Sequence, residues 1–330
     1  MVAFYSFFFV LQVLIFSSFL ETYLNTKEAV KNFDTKQIIV NTEKIAENEE
    51  KISFVKFLEV PNSPFKNPQG IAASGDKIFI VDQGNRRIVI LNEKFELQKE
   101  LTNEELETKV PGGVAIDKHN QHFIVADGGF HHVKFYTLDG ELVKSIGSTR
   151  GNADGQFSRP DYCVYDSKNQ LLVADGGNNR IQVFSENGEY LSSFGSEGKG
   201  DRQFSSPVGV AVNSVGEIVV VDRNNHRVVV YDKDFNFVRK FGSQGKEEGQ
   251  FQYPVVIALD EKDNIYVVDQ ANHRIQMFNS EGIFVLSFGS EGTEEKQFKY
   301  PWDIEIDGTQ VLVADSGNSR VHVWKTNNLC

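Results

Sequence analysis

Along most of the chain, apolar runs of about three to five residues alternate with polar turns rich in Asn, Asp and Gly, and no 3.6-residue period competes with them. Between positions 204 and 242 the runs are 210–212, 218–221, 228–231 and 237–241, separated by turns at 213–216, 223–226 and 232–236. β-Branched and aromatic residues between such turns predict four strands. The inner runs are apolar at successive positions, which suits a sheet covered on both faces.

The same unit recurs. Val-Asp or Ala-Asp closes an apolar run at Asp82, Asp127, Asp175, Asp222, Asp269 and Asp315, at intervals of 45, 48, 47, 47 and 46 residues. That period is too long for helix-pair repeats and suits one four-stranded propeller blade. Between units the chain reads FGSEGKGDRQFSSPVG at 194–209, FGSQGKEEGQFQYP at 241–254 and FGSEGTEEKQFKYP at 288–301. The Phe after Gln (Phe157, Phe204, Phe251, Phe298) is expected to fill the gap between blades. The following Pro sets the chain into the innermost strand. The sixth unit lacks an outer strand, whereas residues 53–57 (SFVKF) match the outer strand at 237–241 (FVRKF). The expected fold is therefore all-β: a six-bladed β-propeller over residues 51–330, its ring closed by an N-terminal strand at about 52–58 that completes the last blade.

The recurring G-[IV]-A-[VI]-D…[IV]-x-V-[AV]-D-x-x-N-x-R-[IV] pattern resembles the NHL repeat. Asn85/Arg87, Asn178/Arg180, Asn225/Arg227, Asn272/Arg274 and Asn318/Arg320 carry its Asn and Arg, and the second copy departs with Phe130 and His132. The resemblance covers about residues 52–324. Within the family it resembles the C-terminal propeller of tripartite-motif NHL proteins. It implies binding of protein or RNA at the loop face, and an association with ubiquitination. The cysteine-rich domains of those ligases are missing from this sequence, which contains only Cys163 and Cys330. Two cysteines with no metal-type spacing also argue against a disulfide framework or a structural zinc.

The repeated polar residues read first as structure. Asp accepts hydrogen bonds from a following turn, Asn favours such turns, and Arg87, Arg180, Arg227, Arg274 and Arg320 can pair with an Asp of the same or an adjacent blade. His226 and His273 occupy the same turn as Arg86, Asn179 and Ser319 and read as exposed turn residues.

Residues that vary between copies at the mouth of the channel are the better candidates for binding. They are Arg159, Tyr162, Arg202, Arg223, Tyr253, Lys299, Tyr300 and Trp302. Arg and aromatic side chains are favoured at interfaces and for stacking on bases. In the last unit Asp303 and Glu305 replace the Gly and Ala of the other innermost strands, and Asp161 stands at the opposite blade. Such acids would hold a cation, pair with Arg, or face channel water.

The net charge of −12 argues against a general nucleic-acid coat, and Glu247, Glu248, Glu291, Glu294 and Glu295 sit in the long loops. Protein partners thus rank above RNA. An amidating-lyase-like propeller would need several convergent His for zinc, and the positions facing the channel contain none. The expectation is a monomeric, non-enzymatic platform with no catalytic residue, metal or cofactor. Residues 1–20 carry no charge and are long enough for a signal or membrane anchor, and 21–50 read as a polar linker. Lys27, Lys31 and Lys36 follow the apolar segment and no sequon Asn-x-Ser/Thr occurs, so a propeller on the cytoplasmic side of a membrane is expected, with a soluble cytoplasmic or secreted protein as the alternative.

Overall fold

The runs of the fourth unit form Pro207–Val212, Ile218–Asp222, Arg227–Tyr231 and Phe237–Phe241, hydrogen-bonded in that order as an antiparallel sheet. The second and third strands are buried throughout, whereas the outer one alternates between half-buried and exposed. A blade wedged between two neighbours requires this gradient, because only its outer edge meets water. The computed structural model describes residues 51–117, 121–147 and 149–327. Within them lie six such four-stranded sheets, blades 1 to 6 in chain order, and the innermost strands touch in ring order from blade 1 through blade 6 and back to blade 1. The proposed anchor at 1–20 and the linker at 21–50 lie outside the described residues. Among the described residues, no helix is long and apolar enough to cross a membrane.

Ring closure follows the sequence. Ile52–Leu58 pairs antiparallel with Arg320–Thr326, placing Phe54 opposite Trp324 and Phe57 opposite His322. Both phenyl rings meet the buried His322 imidazole edge-on, at centroid distances of 5.7 and 4.9 Å. The first and last parts of the propeller thus share one hydrophobic sheet, and Arg320–Thr326 is not left as an open edge.

The loops between blades explain their own spelling. Phe157, Phe204, Phe251 and Phe298 are fully buried. The Gly of each FGS has positive φ, and a Cβ on Gly242 would come 2.4 Å from the Phe251 ring. Glycine is needed there on both counts. Behind each plug, the Gln before it accepts a backbone N–H of its own loop, as Gln203 does from Gly200.

The repeated Asp, Asn and Arg form a clamp within one blade. Asp222 is fully buried. One carboxylate oxygen accepts the Ser205 N–H at 2.7 Å. The other accepts Nδ2 of Asn225 and Nε of Arg227, both at 2.8 Å. Arg227 then donates to the carbonyls of Lys199, Gly200 and Gln203, tying the incoming loop to the strand end. Asp82/Arg87, Asp175/Arg180, Asp269/Arg274 and Asp315/Arg320 pair likewise at 2.8–3.1 Å. In blade 2, Asp127 instead takes the N–H groups of Lys109, Val110 and Gly129, with His132 at 3.4 Å. A buried carboxylate with this many donors is well compensated for its lost hydration.

Candidate functional site

The turn after each second strand ends on a left-handed residue. In blades 1 and 3 to 6 these are Arg86, Asn179, His226, His273 and Ser319, with φ of 54–58°. On the same face, the residue before the Pro is also left-handed at Asn67, Ser206, Tyr253 and Tyr300. The two are stapled across adjacent blades. Asn179 Oδ1 accepts the Ser206 N–H at 2.8 Å, and His226 Nδ1 accepts that of Tyr253 at 3.1 Å. His273 Nδ1 accepts that of Tyr300 at 3.0 Å. His226 and His273 are therefore not exposed turn residues: they are 7% and 6% exposed and lie under the Tyr253 and Tyr300 rings. A bulky residue held at positive φ costs about 1–3 kcal/mol, and the staple offsets part of it. Its effect is to turn both tyrosines outward at the rim, 39% and 51% exposed.

The device is missing at two of the six junctions: between blades 1 and 2 the Val110 N–H goes instead to Asp127 Oδ1 at 2.9 Å, and between blades 2 and 3 no staple forms. His131, the left-handed residue of blade 2, has a buried Nδ1 with no partner. The residue it would staple is Arg159, whose side chain instead pairs Nε with Asp161 Oδ2 at 2.9 Å at the mouth of the channel. Space for this pair exists because position 176 is glycine: a Cβ there would stand 2.2 Å from Asp161 Oδ2. Arg223, from the turn of blade 4, lies over the Tyr253 ring at 5.1 Å. Burial pushes the Asp161 carboxyl up to about 6, against the pull of Arg159 and Arg223.

These groups line a cavity of about 460 Å³. Arg159, Asp161 and Tyr162 come from blade 3, with Trp302 of blade 6 across the ring. Arg223 comes from blade 4, with Gln69 and Gln83 of blade 1 opposite. Tyr162 also lines a second cavity of about 260 Å³ nearer the other end of the channel, and so stands between the two. Glu305 borders that second cavity.

Of the sequence candidates, Arg159, Tyr162, Arg223 and Trp302 converge on the mouth, and Tyr253 and Tyr300 stand on its rim. Arg202 and Lys299 are exposed but do not line the cavity. The acids of blade 6 act in ring closure. Asp303 Oδ2 accepts the Ile71 N–H of blade 1 at 2.7 Å, and Glu305 Oε1 accepts that of Ala73 at 3.1 Å. Two rim residues escaped the sequence reading, Val110 and Phe130, at 45% and 44% exposed. The signal for Phe130 was present, since it replaces the repeated Asn.

An NHL repeat model matches residues 161–184, 204–231 and 251–278. No curated protein matches the chain. Among solved structures, a virginiamycin B lyase from Staphylococcus aureus, crystallised as an inactive variant with quinupristin, is 16% identical. The match covers 81% of this chain and 83% of that one, with a TM-score of 0.57. A putative gluconolactonase is 12% identical over 84% and 92%, with a TM-score of 0.64. A gluconolactonase from Xanthomonas campestris is 10% identical over 83% and 98%, with a TM-score of 0.61. At such identities the likeness is one of fold. The expectation of a non-enzymatic chain is corrected by these matches: propellers of this shape include a lyase and gluconolactonases, so a missing His cluster does not remove catalysis from consideration. The findings support NHL repeats on a six-bladed propeller; they do not extend to the tripartite-motif likeness, RNA binding, ubiquitination or a membrane anchor.

Proposed function

We propose that this NHL-repeat propeller recognises a protein partner across the face that bears the mouth. The observation that carries the reading is the rim: Val110, Phe130, Tyr253 and Tyr300 are exposed apolar side chains from the loops of that one face, with Arg223 stacked on Tyr253. Aromatic side chains and Arg around a central depression are what interface anchors are made of. The acidic outer loops, with Glu247, Glu291, Glu294 and Glu295 exposed, favour a partner whose surface is basic around an apolar anchor, and they repel RNA.

The test is proximity capture with three forms of the chain. One is wild type, and one carries Phe130→Ser, Tyr253→Ser and Tyr300→Ser. The third carries Val215→Ser and Ile283→Ser, exposed apolar positions on turns of the opposite face. Proteins retained by wild type and the opposite-face variant but lost by the rim variant support the reading. An identical set from all three overturns it. Tight binding of a randomised RNA pool at physiological salt, lost on neutralising Arg159, Arg202, Arg223 and Lys299, would replace it with an RNA-reading face.

A second reading is favoured by Asp161. A carboxyl that burial pushes up to about 6, beside two guanidinium groups in a cleft, has the character of a general acid–base. Turnover of a lactone panel that is lost in Asp161→Asn would support it.

A further inference from the structure

We propose that the mouth cavity binds a small organic carboxylate with a flat apolar body. The inference concerns binding alone. It holds whether or not the bound molecule is turned over, and it does not need a protein on the rim.

The cavity's volume of about 460 Å³ falls in the range of small-molecule sites. Its charge is the opposite of the protein's: Arg159 and Arg223 face one carboxylate, Asp161, in a chain of net charge −12. One surplus positive charge in a cleft suits a monoanion, whereas a phosphate dianion would add repulsion from Asp161.

Arg223 is the telling group. Its guanidinium has five N–H donors but makes only two long hydrogen bonds, to Gln270 Oε1 at 3.3 Å and to Asn224 Oδ1 at 3.4 Å. Its Nε is buried without a partner. A half-buried cation so poorly satisfied is costly unless a ligand completes its shell. The Tyr253 ring beneath it and the His226 staple beneath Tyr253 hold the plane of the fork in advance. A planar, pre-positioned guanidinium matches a carboxylate through two parallel hydrogen bonds. The indole of Trp302, across the ring from Arg159, and the side chains of Val208 and Val256 supply apolar walls for the body of the ligand. At the far wall, Gln83 Nε2 donates to Gln69 Oε1 at 2.7 Å, a neutral amide pair that adds no competing charge.

The same carboxylate chemistry could come from a free acid or from the C-terminus of a peptide. The experiment separates them. The full chain is titrated with a panel of small aromatic and aliphatic carboxylates, each paired with its primary amide. Phenylacetate with phenylacetamide is one such pair, and N-acetylphenylalanine with its amide stands for a peptide terminus. Binding is read by saturation-transfer NMR and by tryptophan fluorescence; the chain has two tryptophans, and Trp324 is buried, so quenching reports Trp302.

The expected result is at least one acid preferred over its amide by tenfold or more in Kd, with that preference lost in Arg223→Leu and in Arg159→Leu. Arg159 is exposed and on another blade, so its variant keeps the test alive should Arg223→Leu fail to fold. Preference for N-acetylphenylalanine alone assigns the site to a peptide terminus, and preference for the free acids assigns it to a small molecule. Equal affinity of every acid and its amide, no binding by any member of the panel, or binding indifferent to both arginine variants would overturn the proposal.

Discussion

Nδ1 of His226 stands 3.1 Å from the backbone nitrogen of Tyr253, and the two rings lie 4.8 Å apart. One imidazole thus satisfies a strained backbone donor and supports the ring above it. Removing the acceptor leaves a buried N–H unpaired, so His226→Ala is expected to cost about 1–3 kcal/mol. His226→Asn should recover most of that loss, because Asn179 performs the same task for Ser206 in the neighbouring blade. Chemical denaturation of the two variants checks the order, and equal stabilities would remove the staple.

Phe251→Ala should destabilise the propeller by about 3–5 kcal/mol, because it empties a fully buried site between two blades. Gly242→Ala adds only a methyl group, yet it should also destabilise, since φ is 91° and the new Cβ would strike the Phe251 ring. Comparable denaturation midpoints for Gly242→Ala and wild type would contradict this.

Much of this architecture was legible because each blade repeats one solution to the same packing problem. The Val-Asp period located the second strands, and the FGS…QF spelling located the plugs. The structure resolves what the repeat alone left open: Asp pairs with the Arg of its own blade. The mouth was legible only in part. Residues just after a Pro (Gln69, Asp161, Val208, Trp302) or a strand-ending Asp (Gln83, Arg223) do line it, but which of them meet depends on a backbone choice at Arg159 that has no local signature. The burial of His226 and His273 was hidden because their partners sit on the next blade, 27 residues away.

Deleting residues 51–60 should leave an unstable or aggregating propeller. The deletion strips the outer strand from blade 6, exposes the edge of Arg320–Thr326 and uncovers Trp324 and His322. Light scattering and thermal melting of the truncated chain report the outcome, and a soluble monomer with unchanged melting would reject this form of closure.

His322 is expected to make blade 6 sensitive to acid. It is fully buried beside Asp315, with Nε2 3.0 Å from Oδ2 and Nδ1 unpartnered. Burial holds its pKa below the usual imidazole value, against the pull of Asp315 and with Arg320 adding to the depression. The folded state therefore binds fewer protons than the unfolded chain, and stability should fall as pH drops below about 6.5. Gln182 and Gln276 occupy the matching position in blades 3 and 5 and donate to their Asp at 3.2 and 3.1 Å. His322→Gln should keep the bond without the proton, so its melting temperature should decline less than that of wild type between pH 7 and 5.

Asp161 should act in the opposite sense. Burial raises its carboxyl to about 6, with Arg159 and Arg223 lowering it and Asp175 raising it further. The folded state holds the proton more tightly than the unfolded chain, so this group favours folding in acid, and that contribution is lost as pH rises through about 6. Asp161→Asn should therefore raise the melting temperature at pH 8 and change it less at pH 5. The same proton governs the cavity. Above pH 6 the carboxylate pairs with Nε of Arg159 at 2.9 Å and repels an incoming anion; below it, the charge pair and the repulsion should both be lost. A bound carboxylic acid with a pKa of about 4 stays ionised through this window. Its affinity for wild type should climb between pH 7 and 5, whereas Asp161→Asn should bind more tightly at pH 7 and show little slope. Calorimetric titration at three pH values checks both, and a variant that kept the wild-type slope would assign the pH dependence to another group.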